Sequence, residues 1–359
     1  ASGTNTASGA LSTTTFNTTA GGTIDMVTFA LGVSGTPAHA GILRTQNVSA
    51  TPLTTGKTWG GTIIYDGANQ TGMPGTYNNL TLSGSGAKTM TGISAIGNNF
   101  SMSGSATATT VITTIGGNVD ISGTAVMTTG ANLAITGTLT IGSGSGLTTG
   151  ATFTLGITST TSVTGTFTLA GTGAKTFTGD VTLNSGGVWN ETGVALYSFA
   201  GSLANAATTF TANTGVHTFS GAGATFSGST TTAIGSIAVT GTYTNSGTLT
   251  IGTALSGAGG LTNGNGTSGT LNIGGTCSIT TLANAGTATI TGAGAISTVL
   301  ANFTNTGTLN LNGSGTITGI TNNAAGIVNL SSSGTITSFN NASATSTLNI
   351  SAAPVPTIT

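Results

Sequence analysis

The chain has 359 residues and a net charge of −1, and only 3% of its residues are charged, against roughly 25% in a typical soluble domain. Such a balance creates no field that would attract a polyanion, so nucleic acid and acidic membrane surfaces are not expected as partners. Glycine is abundant, with 61 residues, but the mean hydropathy is +0.32. Disordered chains usually combine low hydrophobicity with high net charge, so these values predict an ordered protein. The β-branched residues favour strands.

Residues 1–75 form the first predicted region. They contain three of the five prolines, four of the nine charged residues, His39 and Trp59. The segment GKTWGGTIIYDG predicts strands around turns, so we expect an irregular β-rich arm or cap. The chain begins ASGTNTASGA, without an initiator Met, a basic segment or an apolar signal core. We therefore expect a secreted protein whose signal peptide has been removed.

Residues 76–350 contain a repeat of about 20 residues. Its marker is a triplet in which two apolar residues flank one small polar residue. In the first half the triplets recur at steps of roughly 20 residues and begin at Leu80, Phe100, Val119 and Leu139. In the last third they begin at Leu249, Leu271, Ala288, Leu309, approximately Ile327, and Leu348. A weaker series contains Ile317 and Ile336, so each repeat holds at least two strands.

Between these two stretches the register is ambiguous. Triplets on a shorter spacing begin at Leu139, Phe153, Phe167 and Val181. Either the coils shorten there, or the triplets fall on alternate faces of the coil. The sequence allows both alternatives.

The segment GTLNLNG shows what one repeat can build. In a strand, Leu309 and Leu311 point to one face, and Thr308, Asn310 and Asn312 point to the other. So short a strand cannot bury its apolar face alone, but a coil stacked on similar coils can. Thr and Asn ladders suit in-register stacking, whereas charges would stack on like charges. We therefore predict an all-β parallel β-helix (β-solenoid) of roughly 14 coils, each of about 20 residues, after a less regular β-rich N-terminal region.

The repeats NLTLSGSGAKTMTG (79–92) and NTGTLNLNGSGTITG resemble those of bacterial secreted parallel β-helix proteins, the adhesin-like and autotransporter-passenger-like β-strand-repeat group. The first of them returns as TFTLAGTGAKTFTG at 166–179. The resemblance covers about residues 76–350 and implies a right-handed solenoid exposed outside the cell, at the cell surface. The sequence shows no recognisable translocator, anchor or sorting segment, so attachment and export stay open.

Residues 351–359 are predicted to be a C-terminal tail in which Pro354 and Pro356 break the coil. Open solenoid ends expose unpaired strands that pair with another molecule unless they are blocked. Two different, complementary ends give a contact that does not close, and this contact generates a filament. We therefore expect the chain to be its own partner, joined head to tail through solenoid ends or an exchanged strand.

Catalytic chemistry is not predicted. Glycoside hydrolysis needs two carboxylates about 5–10 Å apart, and none of the five acids lies in a paired motif. The closest charge grouping is Lys175, Asp180 and Glu191, with Lys88 one long repeat away, and we expect structural roles for all four. The chain is therefore predicted not to be an enzyme, with no catalytic, cofactor-binding or metal-binding residues and no cofactor.

The histidines and the cysteine are also predicted to have structural roles rather than chemical ones. His39 and His217 are far apart in sequence, and the calcium-binding pattern GGxGxD does not occur. Cys277 alternates with Ile279 in TCSIT, which is typical of a small buried side chain. No run of about 18 apolar residues exists, so no membrane-spanning helix is predicted.

We therefore expect a non-catalytic extracellular structural protein, a self-assembling subunit of a cell-surface filament or sheath. Adhesion to surface glycans is the first alternative. Ice binding is a weaker one: T-x-T ladders on a flat face can match a crystal lattice, but the coil length varies and T-x-T recurs at no single fixed position in the repeat.

Overall fold

The computed structural model describes residues 3–264, 268–291, 303–313, 316–331, 335–351 and 357–358. These residues form strands and no helix, and the strands pair in parallel, so the predicted all-β β-solenoid is confirmed. It contains about 16 turns with a spacing of about 20 residues. Within the described ranges no helix is long and apolar enough to cross a membrane. Pro354 and Pro356 lie outside the described residues.

The chain divides into two compact units. Unit 1 comprises residues 1–175 and 186–193, and unit 2 comprises residues 176–185 and 194–359. The first 23 strands all belong to unit 1: β1 Thr4–Thr6, β2 Leu11–Thr13, β3 Asn17–Thr18, β4 Thr23–Asp25, β5 Leu31–Val33, β6 Ala38–His39, β7 Ile42–Thr45, β8 Lys57–Tyr65, β9 Gln70–Thr71, β10 Gly75–Leu82, β11 Ser85–Thr89, β12 Ile93–Ile96, β13 Phe100–Met102, β14 Ser105–Thr110, β15 Thr114–Ile115, β16 Val119–Ile121, β17 Val126–Thr129, β18 Leu133–Ile135, β19 Leu139–Ile141, β20 Gly146–Thr148, β21 Leu155–Ile157, β22 Thr161–Val163 and β23 Thr166–Leu169.

The remaining strands belong mainly to unit 2. The division between the units falls within β24 Lys175–Phe177, after which β25 Val181–Leu183 lies in unit 2 and β26 Val188–Glu191 in unit 1. The other strands of unit 2 are β27 Tyr197–Phe199, β28 Leu203–Asn205, β29 Thr209–Thr211, β30 Val216–Phe219, β31 Ala222–Ser227, β32 Thr232–Val239, β33 Thr242–Asn245, β34 Thr248–Asn263, β35 Thr270–Ile273, β36 Thr276–Asn284, β37 Thr287–Ile290, β38 Phe303–Asn305, β39 Thr308–Leu311, β40 Thr316–Ile317, β41 Ile320–Asn322, β42 Ile327–Leu330, β43 Thr335–Ile336, β44 Phe339–Asn341, β45 Thr347–Ile350 and β46 Thr357–Ile358.

Each turn of unit 1 has three strands, and successive turns stack strand on strand. The first face contains β12, β15, β18 and β21, and the second contains β13, β16, β19 and β22. The third face contains β9, β11, β14, β17, β20, β23 and β26. The third strand was not expected, because Ala and Thr fill its inward and outward positions in strands such as β14, which weakens the apolar signal.

The two alternatives left open between the repeat series are now resolved. Leu139 lies on β19 of the second face, whereas Phe167 lies on β23 of the third face. The coil does not shorten between them, because Leu139 pairs with Thr161, a full coil further on. The shorter spacing of the triplets therefore arises because they lie on different faces.

The N-terminal strands follow the same pairing. Thr23 pairs with Thr4 and with Ile42, its counterparts one coil away in each direction. Residues 4–65 therefore already wind in solenoid turns. They are less regular in burial, because β1 is exposed throughout and Leu11 on β2 is 42% exposed.

Stacked glycines shape the corner between the second and third faces. Gly84, Gly104, Gly123 and Gly144 follow β10, β13, β16 and β19, where the end of β10 pairs with β13, and their φ angles lie between +67° and +79°. This left-handed conformation favours glycine. The corner is also tight, because a Cβ on Gly104 would lie 2.2 Å from the carbonyl oxygen of Gly84. These contacts explain why a small residue recurs there.

Inside unit 2, apolar side chains alternate with outward polar ones. Leu309 is fully buried and Leu311 is 5% exposed, while Thr308 and Asn310 before and between them are partly exposed, as predicted. Aromatic rings stack along the interior: the Phe199 ring lies 5.1 Å from Phe177 and 4.9 Å from Phe219. The core of this unit therefore consists of columns that run from coil to coil.

Candidate functional site

Three described charged residues of the early coils, Asp25, Arg44 and Asp66, form a stacked ion group. Arg44 pairs with Asp25 on the neighbouring strand, where a guanidinium nitrogen lies 3.8 Å from the carboxylate, and it donates hydrogen bonds to Asp66. The bond to Asp66 raises the pKa of Arg44. Negative, positive and negative charges thus follow each other on successive coils. The repulsion that in-register stacking would cause between like charges is avoided.

Two lysines are interior structural groups. Lys88 is 2% exposed, and its Nζ donates to the carbonyl oxygens of Gly67 (2.6 Å) and Ala68 (2.7 Å) and to Oε1 of Gln70 (2.9 Å). Lys175 is fully buried and donates to the carbonyl oxygens of Phe153 and Gly173. Burial lowers the pKa of both. The repeated sequence GAKT therefore places an ammonium group where corner carbonyls need donors.

The acids of the predicted charge grouping have separate structural partners. Glu191 accepts a hydrogen bond of 2.8 Å from Nε1 of Trp189 in unit 1. Asp180 accepts one of 2.7 Å from the backbone N–H of Ser202 in unit 2. Among the residues that the structure describes, no group of three or more His, Cys, Asp or Glu side chains could hold a metal ion.

Both histidines and the cysteine are interior. His39 accepts or donates a 2.8 Å hydrogen bond between Nδ1 and the Thr18 hydroxyl, and its Nε2 lies 3.3 Å from the carbonyl oxygen of Thr62. Burial lowers the pKa of His39, so the neutral ring is favoured. Cys277 is fully buried and free, and burial raises the pKa of its thiol to about 11. A thiol in that state is a poor nucleophile.

A buried asparagine ladder runs through unit 2, and sequence reasoning missed it. Each side-chain amide donates to the side-chain oxygen of the next member at 2.7–3.1 Å, in the order Asn245, Asn263, Asn284, Asn305, Asn322 and Asn341. The first five are at most 1% exposed. They also donate to backbone carbonyls of neighbouring coils, for example from Asn284 to Thr308 at 3.0 Å. This ladder satisfies polar groups in the interior and stabilises the stack.

A second set of ladders lies on the outer surface of unit 2. On β35, β37, β39, β42 and β45 the outward residues are threonines and asparagines, with Ile327 as the exception. The amide of Asn349 donates to Asn329, and that of Asn329 donates to Asn310, both at 2.8 Å. The direction is opposite to that of the inner ladder. Amide donors in this outer row are thus used within the protein.

The third face of unit 1 carries one unbroken row of threonines, which we call the threonine column. Pairing in register connects its six members: Thr71, Thr89, Thr109, Thr128, Thr148 and Thr168. Their side chains are exposed or partly exposed. Complete T-x-T pairs occur only on β14 and β23 of this row. The expectation that T-x-T recurs at no single fixed position therefore stands for this row, but a single threonine returns on each of its six strands.

The outermost described coils present strand edges and apolar side chains. Near the N-terminus, Leu11 borders a groove that Ala7, Ile24 and Met26 also line. Near the C-terminus, β45 pairs with β42, and Ile350 on it is 45% exposed. These are the features of the structure that could contact a further coil.

Comparison of the chain with protein-family models, curated proteins and solved structures gave no match to any of the three. The resemblance to secreted β-strand-repeat proteins therefore stays a prediction.

Proposed function

We propose that this chain is a non-catalytic, extracellular structural protein that assembles head to tail into a cell-surface filament or sheath. The observation that carries the proposal is the pair of edges on the outermost coils, where Leu11 and Ile350 are about half exposed on strands of a parallel ladder. A strand edge of this kind is a template for pairing with another strand.

The geometry of such a contact leads to a polymer. Every interior coil in each unit hydrogen-bonds to the coils before and after it, so a coil from a second copy could continue the same ladder. The two edges are different surfaces, because β1 carries only Thr and Asn, whereas β45 carries Leu348 and Ile350 beside its Thr and Asn. Contact between different surfaces does not close on itself and produces a filament.

The charge pattern supports close approach of many copies. With 3% charged residues and a net charge of −1, subunits in a filament would not repel each other strongly. Interior polar side chains such as Lys88 and His39 make hydrogen bonds to other coils of the same chain. This use of polar groups is consistent with a structural protein. We also propose that the protein is located outside the cell.

Electron microscopy of the purified chain, with light scattering over a range of concentrations, tests the proposal. We expect filaments, and we expect the double variant Leu11→Lys/Ile350→Lys to remain monomeric because it places charges at both edges. The matched control is Val126→Lys, since Val126 is 40% exposed on a lateral face. It should form filaments as the unmodified chain does.

A monomeric chain at all concentrations and salt conditions would contradict the proposal, as would equal loss of assembly in the control. Adhesion to surface glycans is the alternative function. Glycan binding by the monomeric double variant, without assembly of the unmodified chain, would favour that alternative.

A further inference from the structure

The threonine column is a row of hydroxyl and methyl groups repeated at the spacing of parallel strands, about 4.8 Å. We propose that this row, with the small side chains beside it, orders water into a lattice and binds ice. The inference does not depend on head-to-tail assembly, because all six threonines belong to one unit of one chain.

The positions of the hydroxyl groups are held firmly. Each member of the column pairs with the next in the same register, one residue per coil, without a bulge between β11 and β23. The inward neighbours Met127, Leu147 and Phe167 are fully buried and anchor the strands from below. Threonine is β-branched and therefore stiff at χ1. A row fixed in this way can hold water molecules at regular intervals.

The hydroxyls are also free to bind water. The side chains of the six threonines make no hydrogen bond to another protein group in the described part of the chain, unlike the outer asparagines of unit 2. The neighbouring outward row contains small or apolar residues, namely Ala87, Thr107, Val126, Gly146 and Thr166. None of these outward positions carries a charge, because the one lysine of these strands, Lys88, points inward.

Two other occupants fit this surface less well. A second copy of the chain would have to bind through roughly 250 Å², the product of five strand spacings and about three residues of strand, whereas stable interfaces bury about 800 Å² on each partner. Tyr and Trp rings supply large contact areas at interfaces, but they are not available to a glycan here, because Trp59, Trp189 and the four tyrosines are at most 2% exposed. Binding to a lattice of water requires neither a large protein interface nor exposed aromatic rings.

The test measures ice recrystallisation and thermal hysteresis with the complete chain and three variants. Thr109→Lys and Thr148→Lys each place a long charged side chain within the column. Thr114→Lys is the matched control, since Thr114 is an exposed threonine on the first face of the same unit. Circular dichroism checks that each variant keeps its strands. If Thr109→Lys does not fold, Thr109→Gln replaces it.

The unmodified chain and Thr114→Lys should slow ice recrystallisation equally, and the two column variants should lose most of this effect. The inference would be overturned if the unmodified chain left ice growth unchanged, or if the control lost as much as the column variants. Retention on insoluble cellulose through the same threonines, with no effect on ice, would overturn it in favour of a polysaccharide surface.

Discussion

The side-chain amide of Asn284 donates a 2.7 Å hydrogen bond to the side-chain oxygen of Asn305, its counterpart one coil further along. Both side chains are at most 1% exposed. Asn305 in turn donates to Asn322 at 2.8 Å and to the backbone carbonyl of Ile327 at 3.2 Å. One residue thus connects three successive coils in an interior where unpaired polar groups are costly.

Replacement of Asn305 by alanine should lower the free energy of unfolding of unit 2 by about 3 kcal/mol, because buried partners on both sides lose a hydrogen bond. The matched control is Asn329→Ala in the outer ladder, where water can replace the lost bonds and the cost should stay below about 1 kcal/mol. Urea denaturation followed by circular dichroism measures both. Equal effects of the two changes would contradict the role assigned to burial.

Leu309→Asp should prevent folding of the coils around it, because Leu309 is fully buried and an unpaired carboxylate there costs well over about 4 kcal/mol. Thr308→Asp is the control, since Thr308 points outward on the same strand. It should melt close to the unmodified chain. Thermal unfolding of both variants checks the prediction, and a normal melting temperature for Leu309→Asp would rule out the inward placement.

Gly104→Ala should destabilise unit 1, since Gly104 has a φ of +67° and a Cβ would lie 2.2 Å from the carbonyl oxygen of Gly84. The expected cost is at least about 1–3 kcal/mol from backbone strain. Gly156→Ala is the matched control: nothing lies within 4 Å of its Cβ position on β21, and its φ is not positive. That change should be neutral or slightly stabilising. The denaturant midpoints of the two variants measure this difference in stability, and equal midpoints would contradict the prediction.

The stability of unit 1 should increase as the pH rises above about 8. Burial lowers the pKa of Lys88 to about 8 from 10.5, against the opposing effect of Asp66. The folded chain therefore releases this proton at a lower pH than the unfolded chain, so unfolding takes up a proton between the two values and becomes less favourable as the pH rises. Urea midpoints at pH 7 and pH 10 measure the increase.

Lys88→Met provides the comparison for this pH dependence. The variant lacks the titrating group, so its stability should change less between pH 7 and pH 10 than that of the unmodified chain. At pH 7 it also loses the hydrogen bonds to Gly67 and Ala68, which should lower its stability. Identical pH profiles would show that Lys88 does not cause the increase.

The apolar interior could be predicted from the sequence because apolar and polar residues alternate in the short strands. In a strand this alternation places the apolar side chains on one face. Leu309 and Leu311 flank a polar residue, and the structure buries both. The third strand of each turn was harder to recognise. On β14 the buried residues include Ala106 and Ala108, whose side chains are as small as those of many loop residues.

The inner ladder could not be inferred from polarity, because an asparagine is ordinarily assigned to the surface. A positional signal does exist: Asn245, Asn284 and Asn305 each end a strand and stand two residues before a glycine, in TNSG, ANAG and TNTG. The threonine column was missed for a different reason. Threonine also occurs at many other positions of the chain, so the row that contains Thr109, Thr128 and Thr148 does not stand out in the sequence, whereas strand pairing identifies it.

The variable corners also determine how the chain can be altered. In unit 2 one turn runs from Leu203 to its partner Phe226, and a shorter one runs from Leu271 to its partner Ala288, yet the strands remain in parallel register in both cases. Extra residues are therefore accommodated outside the ladders, where exposed tips tolerate insertion. A foreign peptide grafted at an exposed corner such as Ser49–Ala50, away from the stacked glycines, should leave the neighbouring strands in place. The protein is thus suited to serve as a scaffold that displays epitopes at intervals set by its coils.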